Sequence, residues 1–458
     1  MEEKLHKLTE EQQEAFNKII NFLNDPNQRL FLLSGFAGTG KTFLIIRLVE
    51  HLCSDISNRI LICATTNKSV KVLRKEIKQL YLNANFSTIH SALGLREHID
   101  GYGKISFRPD KLMKNKVSGT NILFIDESSM LDDQLFYFLL SELNSNKKLK
   151  IIFCGDEAQI PPINKLDSIP FSKENQKKYN IGVTKLNNII RQEDGHPIIE
   201  LSDFVRKNLL EQNIFNKFER GKIESKNGTV YFLEFKEDQD RLILLLEELF
   251  CSENFKQDAD HVKILSWTNA TVNMYNDLIR SMIFGENLPK IVKGEKLILD
   301  SPWVVNKKVV FATNEELEVI DYTIRKLSIP GYPAMKYYDC KVFVEIDGKK
   351  IKSDIKIMHE QSEKLYNTHL NNLLKLAKKE KQGTFKAANA WKAFYHFQEI
   401  FAHVKFNYCL TAHKSQGSTY NNCFIILEDV EKNKKIAEKN RILYTSITRP
   451  KNNLFIIR

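Results

Sequence analysis

The chain has no CxxC pair. Its seven cysteines stand apart, an odd and unclustered set that argues against a disulfide framework or a structural zinc. Cys63 and Cys154 lie inside apolar, strand-like runs and read as small buried hydrophobes. There is also no apolar run approaching the ~18 residues of a membrane-spanning helix. The opening MEEKLHKLTEEQQ is not a signal peptide. A soluble, intracellular protein with no membrane partner is the expectation. A strong charge of one sign is missing too: 68 Lys and Arg face 57 Asp and Glu, a net +11. That balance is compatible with a polyanion partner, although many lysine-rich proteins bind nothing acidic.

What is present is enough for several cores. The chain has 458 residues, 42% of them hydrophobic, and about two to four domains fit that length. Four apolar, β-rich runs stand in the first half: RLFLLS (29–34), ILICATT (60–66), NILFIDE (121–127) and KIIFCGD (150–156). Their continuous apolar character suits parallel strands covered on both faces. Helical patterns such as FLIIRLVEHL and SVKVLRKEIKQLY lie between some of them, so an α/β doubly wound sheet is expected. Each run ends in a polar cluster, and ligands of such sheets bind at the carboxyl ends of the strands.

The second half repeats this theme without a glycine loop. VYFLEF (230–235), KILSWTN (263–269), FNYCLTAHKSQG (406–417), CFIILED (423–429) and NLFIIR (453–458) read as strands of a second α/β domain. A long insertion splits it. From about 291 to 358 it is strand-rich, with a hairpin signal at Asp347-Gly348. From about 360 to 403 it is helical, and Gly383 marks a helical hairpin. The aromatic stripe Trp391, Phe394, Tyr395 and Phe401 is expected in a core. A smaller insertion runs from His90 to about Thr120, where Gly101-Tyr102-Gly103 separates two short runs. Pattern alone leaves a projecting β-hairpin and an ordinary surface loop equally open.

Chemistry concentrates at the strand ends. GFAGTGKT (35–42) fits G-x-x-x-x-G-K-[ST], after a strand and before a helix. Its glycines let backbone N–H groups close on phosphate oxygens, and the helix N-terminus favours anions. Lys41 would reach the β- and γ-phosphates and Thr42 would hold Mg²⁺. In ILFIDESS, Asp126 at a strand end would hold Mg²⁺ and Glu127 would polarise the attacking water; a solvated acidic turn is the plainer alternative. In GDEAQIPP, Gln159 is neutral and can hydrogen-bond both a γ-phosphate and a water, against the alternative of a proline-ended loop. Arg191 in LNNIIRQ and Arg449 in YTSITRP are cations suited to transition-state charge, although a surface salt bridge is the commoner fate of a single arginine.

LTEEQQEAF, GFAGTGKT, DESS, GDEAQIPP, NIIRQ, TAHKSQGST and LYTSITR occur in the order seen in superfamily-one helicases. The split second half, with its insertion before HKSQGST, resembles the class-B, RecD-like branch, and the length and compactness resemble its phage members. HKSQG and YTSITR are the specific elements. The resemblance implies an α/β fold with two RecA-like parallel-sheet motor domains and ATP between them. It places the first at 1–87 and 119–192 with a β-hairpin pin at 88–118. The second falls at 193–290 and 404–458, and an SH3-like domain with a helical tower at 291–403. The tower would brace the pin.

By the same resemblance Gln12 reads the adenine edge. Gly35, Phe36, Ala37, Gly38, Thr39, Gly40, Lys41 and Thr42 surround the phosphates, and Gln416 and Gly417 face ATP. Thr66, Asn67, Thr88, His90, Thr268, Asn269, His413, Ser415 and Thr419 match strand-contacting positions. The sequence departs from the family's Ala-Pro-Thr by reading Ala64-Thr65-Thr66. Phe107, in the pin around 97–107, is the aromatic placed to stack on a base. The implied activity is 5′→3′ DNA unwinding with ATP and Mg²⁺ as cofactors. The implied partners are single-stranded and forked duplex DNA, with single-strand-binding or replication and recombination proteins beside them. The implied state is a monomer in the cytoplasm, the host's if the source is a phage. An RNA helicase of the same superfamily, an ATP-gated clamp without unwinding, and a small-molecule kinase are the competing readings.

Overall fold

The apolar runs of the first half do form strands. The computed structural model describes the chain apart from residues 1–6, 56–58, 80–83, 100–104, 111–112, 163–164, 190–194, 306–307, 329–331, 347–348 and 382–383. In chain order come β1 (Leu30–Gly35), β2 (Ile60–Ala64) and β3 (Asn85–Thr88), then β4 (Leu95–Ile99) and β5 (Ile105–Pro109), then β6 (Ile122–Asp126), β7 (Lys150–Gly155) and β8 (Ile181–Leu186). β4 and β5 make a separate two-stranded hairpin, while the others form one sheet in the order β3-β2-β6-β7-β1-β8. Every pairing in that sheet is parallel.

β1, β2 and β6 are buried along their whole length. This is why they read as unbroken apolar runs: helices cover both faces. The helices Glu10–Asn24 and Lys41–Leu52 bring Ile19, Phe22, Leu44 and Ile45 against Phe31, Leu33, Phe124 and Ile152 of the sheet. Thr9 starts the first helix through a reciprocal capping box with Gln12. The edge strands β3 and β8 are less apolar. β8 alternates buried and open positions, as an edge allows, and neither edge strand announces itself in the sequence.

The second half gives β9 (Gly221–Ser225), β10 (Gly228–Leu233) and β11 (Val262–Ser266). The insertion follows, with β12 (Lys296–Leu299), β13 (Trp303–Val305), β14 (Lys308–Phe311), β15 (Glu316–Leu327), β16 (Met335–Ile346), β17 (Lys349–Met358) and β18 (Val404–Phe406). β19 (Cys409–Thr411), β20 (Tyr420–Ile426) and β21 (Pro450–Ile457) close the chain. The second sheet runs β19-β11-β20-β21-β10-β9, parallel except for β9. Taken in chain order, β10, β11, β19, β20 and β21 occupy the places of β1, β2, β3, β6 and β7, so the first topology is repeated. Two of the expected strands are shorter than the apolar pattern suggests. Only Cys409–Thr411 of FNYCLTAHKSQG joins this sheet, and CFIILED turns into the helix Leu427–Glu431 after Ile426.

The insertion carries a five-stranded sheet, β17-β16-β15-β12-β18, with antiparallel pairing throughout. The Asp347-Gly348 turn lies outside the described residues, but Ile346 and Lys349 on either side of it are register partners. Trp303, Leu317, Tyr338 and Ile355 belong to its core. The helices Glu360–Lys379 and Phe385–Gln398 pack on one another; Gly383, between them in the sequence, lies outside the described residues. Phe394 and Phe401 are buried as expected, and Trp391 meets Phe394 edge-on at 5.8 Å. Phe397, absent from the expected stripe, stacks on Tyr366 at 5.2 Å.

Contacts divide the chain into two compact units. Both parallel sheets belong to one, with residues up to Leu95, Pro109–Tyr275 and Cys409–Arg458; Arg96–Arg108 and Asn276–Tyr408 form the other. The outer part of the β4–β5 hairpin therefore groups with the insertion. Gly101, Tyr102 and Gly103, between its two strands in the sequence, lie outside the described residues.

Candidate nucleotide site and strand-facing residues

β1 delivers the chain into the loop Gly35–Thr42 and the helix Lys41–Leu52 follows at once. Gly38 and Gly40 hold φ of +84° and +80°, a left-handed backbone that residues with a β-carbon resist. Lys41 Nζ donates to the carbonyls of Gly35 at 2.7 Å and Phe36 at 2.8 Å. Beside this loop a cavity of about 740 Å³ is lined by Gln12, Lys41, Thr42, Asp126, Glu127, Gln159 and, from the second fold, Gly417, Thr419 and Arg449. Its size lies within the range of small-ligand sites.

The acids come from the end of β6. Asp126 is buried and its Oδ1 accepts the Glu127 N–H at 2.9 Å. Glu127 adopts φ +51°, a conformation uncommon outside glycine and found at functional turns. Gln159 is 4% exposed, and its Oε1 has no hydrogen-bond partner among the described residues. An orphaned acceptor at the cavity wall fits a site that receives a hydrogen-bonding group from the ligand side. Arg449 is also buried. Its guanidinium donates to Thr445 O at 2.9 Å, Ser418 O at 3.1 Å and Thr448 Oγ1 at 2.9 Å, which fixes it at the cavity edge. Arg191 lies outside the described residues.

The neighbouring residues take several positions. Gln12 lines the cavity, and its Nε2 donates to Thr39 O at 3.3 Å. The Thr39 hydroxyl is fully buried and turned to Phe36 O. The Phe36 ring lies under the Arg206 guanidinium at 3.5 Å and contributes nothing to the cavity lining. Gln416, expected to face ATP, instead donates from Nε2 to Ile160 O at 3.2 Å. Gly417 does line the cavity; with φ +74°, a β-carbon there would meet Ser69 Oγ at 1.9 Å. Thr419, expected to face a nucleic-acid strand, lies on the cavity wall.

Sequence reasoning missed Asp156 and its partners. Asp156 is fully buried. Its Oδ2 accepts Ala37 N at 2.9 Å and the Tyr444 hydroxyl at 2.7 Å, and its Oδ1 accepts Ala158 N at 2.9 Å. Thr445 Oγ1 accepts Ile160 N at 3.2 Å, and Arg441 reaches Gln159 O and Asp167. The helix Ile436–Ile447 thus hydrogen-bonds along the whole GDEAQI loop. Both residues stand in motifs singled out from the sequence, but their burial is visible only in the fold.

The strand-facing candidates are in part committed within the protein. Thr66 caps the helix Asn67–Gln79, accepting Ser69 N at 3.2 Å, with half-buried Asn67 beside it. The Thr65 hydroxyl faces Met130 Sδ at 3.7 Å. Thr88 caps the short helix Ile89–Ala92. Burial lowers the pKa of His90, opposed by Asp132, and that of His413, opposed by Glu438, so both favour the neutral form.

Thr268 spends its hydroxyl and N–H on Asp429, at 2.8 and 2.7 Å, while Asn269 is exposed. Asp429 accepts from Ser266, Trp267 and Thr271 as well. Burial raises its pKa, but these hydrogen bonds outweigh burial and hold it at about 2. Ser415 departs from the expectation: it is fully buried and donates to Ala412 O at 2.8 Å. Phe107 is half-buried on β5.

A phosphate loop on one parallel sheet, faced by an arginine and a tyrosine carried by a second fold of the same topology, defines a P-loop nucleotide site walled by two folds. Residues 17–165 match the AAA domain family, and residues 406–457 match the UvrD-like helicase C-terminal domain. The ATP-dependent DNA helicase dda of Enterobacteria phage T4 is 25% identical over 467 residues, covering 98% of this chain and 99% of that protein. The RecBCD enzyme subunit RecD of Buchnera aphidicola subsp. Schizaphis graminum is 27% identical, over 99% of this chain and 74% of that protein. Among solved structures, Pif1 helicase from Candida albicans shares the fold with a TM-score of 0.54 at 16% identity, covering 99% of this chain and 94% of that one. In sequence and fold the chain is similar to the Pif1/RecD-like helicases of superfamily 1 class B.

Proposed function

We propose that the chain is an ATP-dependent DNA helicase that moves 5′→3′ on single-stranded DNA and separates the strands of a forked duplex. One observation carries this reading: a single cavity joins Lys41, Asp126, Glu127 and Gln159 of the first fold to Arg449 of the second. Lys41 neutralises phosphate charge, and Glu127 orients the attacking water. Gln159 hydrogen-bonds that water and the terminal phosphate. Arg449, with Arg191 as a second cation, meets the charge that develops during transfer. Mg²⁺, held by Thr42 and Asp126, would supply further charge neutralisation between the phosphates.

Because the cavity wall comes from both folds, binding and release of nucleotide bias how the folds approach one another. Alternating grip on the strand then makes that cycle directional. Thr66, Asn67, Thr88, His90, Asn269 and His413 are the strand-facing residues of this proposal, and Phe107 on the hairpin is the aromatic that meets a base. Relatives named as DNA helicases favour DNA over RNA. A solved relative at TM-score 0.50, Bacteroides Pif1, is described as bound to single-stranded DNA. A monomer acting in the cytoplasm completes the reading. ATP hydrolysis measured with no polymer, single-stranded DNA and RNA tests it, beside unwinding of duplexes tailed at one end. DNA stimulation with unwinding of 5′-tailed substrates is expected. Equal hydrolysis with and without DNA would overturn it.

A further inference from the structure

The helices Glu360–Lys379 and Phe385–Gln398 pack at one end through Tyr366 and Phe397 onto Tyr337 and Met358 of the sheet. The first helix has 20 residues, and its end at Lys379 lies about 20 Å beyond the Tyr366 contact. There the surface changes. Between Lys375 and Lys392 stand six lysines (375, 378, 379, 381, 386 and 392) against one acid, Glu380, so this stretch holds 6 − 1 = +5 of the chain's +11. All six are exposed. Among the described residues none has an ion-pair partner, whereas lysines near the base and on the sheet do. Lys290 pairs with Glu363 at 3.4 Å, Lys296 with Glu318 at 2.9 Å and Lys405 with Asp300 at 3.1 Å. Two large apolar side chains stand open among the unpaired lysines, Phe385 at 82% and Leu376 at 58% exposure.

Helix stability accounts for part of this. Lys378 and Lys379 end the first helix, where a cation suits the dipole. It does not account for Lys386, which sits in the first turn of the second helix with no acid beside it, the end where a cation is unfavourable. Nor does it account for Lys381 in the connection or for a phenylalanine left in water. Unpaired lysines grouped around an exposed aromatic match the chemistry of a polyphosphate backbone with a groove or a base edge beside it.

We propose that the far end of this helical hairpin is a docking surface for the double-stranded arm of forked DNA, its lysines on duplex phosphates and Phe385 against the groove. The proposal rests on the helicase reading for its choice of polyanion. The experiment compares the parent with K378Q/K379Q/K381Q/K386Q and, separately, F385A, binding a labelled fork and its single-stranded tail alone, without nucleotide, across a salt series. Each lysine on a duplex phosphate contributes about 0.9 to the slope of log affinity against log salt. The glutamine variant should lose about 2–3 from the fork slope and about tenfold in fork affinity near 0.1 M salt. Tail binding, strand-stimulated ATP hydrolysis and melting temperature should stay at the parental value. F385A should weaken fork binding alone, by a smaller factor. Unchanged fork affinity and slope in the glutamine variant would overturn the proposal, as would an equal fall on fork and tail. So would intact fork binding with loss of a protein partner, which would assign the surface to protein. The binding contrast needs no hydrolysis, so a parent without DNA-stimulated turnover sinks the helicase reading and leaves this comparison readable.

Discussion

The Tyr444 hydroxyl donates to Asp156 Oδ2 at 2.7 Å, and the same oxygen accepts the backbone N–H of Ala37 at 2.9 Å. One carboxylate oxygen therefore holds both the phosphate loop and the helix Ile436–Ile447, which leads to Arg449. Burial, and then the Asp156 charge, push the Tyr444 pKa upward, so the phenol stays a donor. A hydrogen bond to a buried charge contributes about 1.5–3 kcal/mol. Tyr444→Phe keeps the ring and removes the donor. It is expected to lower the melting temperature, raise the KM for ATP and reduce DNA-stimulated turnover. Steady-state ATP titrations beside a melt check this; parental KM and turnover would count against coupling through this bond.

Lys41→Ala should abolish hydrolysis in a folded protein, because among the described residues its Nζ hydrogen-bonds to the loop carbonyls of Gly35 and Phe36. Glu127→Gln should keep nucleotide binding and stop turnover, and Asp126→Asn should weaken binding that depends on Mg²⁺. Nucleotide titration with and without Mg²⁺, beside turnover, separates the three. Parental hydrolysis in both acid variants would remove these residues from the reaction.

Arg449→Ala should cut DNA-stimulated turnover by about 10²–10³, as loss of one electrostatic donor at a transition state does, with little change in nucleotide affinity. Its guanidinium holds the carbonyls of Thr445 and Ser418, so a melt must accompany the assay. Arg191→Ala is expected to behave likewise. An arginine whose removal changes neither quantity takes no part in the reaction.

For the hairpin, Phe107→Ala should lower unwinding and translocation at an unchanged melting temperature, since base–aromatic stacking is worth about 1–3 kcal/mol. If Phe107 instead secures its own unit, the melt drops and all activities fall together. Deleting Gly101–Gly103 should harm strand separation more than DNA-stimulated ATP hydrolysis. Duplexes with a 3′ tail should remain unseparated; unwinding only those would reverse the polarity.

Asp429 gives a pH dependence whose sign follows from its depressed pKa, about 2 against an ordinary 3.8. Its contribution, about 2 kcal/mol, is complete above pH ~4 and is lost as pH falls toward 2 and the carboxylate takes up a proton. Urea midpoints between pH 6 and 3 should fall for the parent. In Asp429→Asn, which starts lower, the fall should be smaller. Parallel declines would show that other carboxylates carry the acid sensitivity.

How much of this was legible depends on whether a residue's role is local. β1, β2 and β6 were readable because burial on both faces demands continuous apolar sequence, and the phosphate loop because its glycines serve a backbone shape. The edge strands β3 and β8 lack that demand. Among the site residues, Gln159 and Arg449 could be placed by motif. Ser415 and Gln416, in an equally recognisable motif, turn inward to Ala412 and Ile160, because tertiary packing decides which side of a loop each side chain takes. The bond between Asp156 and Tyr444 joins residues 288 positions apart, and no local pattern encodes it.

The insertion leaves and re-enters its parent fold through a narrow doorway. Tyr408 N donates to Asn276 Oδ1 at 3.0 Å, and the strands on either side, β11 and β19, are already neighbours in the sheet. A chain that departs and returns at adjacent points leaves the parallel ladder unbroken, and the entropy of closing such a loop grows only slowly with its length. The segment between Asn276 and Tyr408 is therefore an exchangeable cassette. A change in its length is expected to leave the hydrogen-bond ladder of the parallel sheet in place.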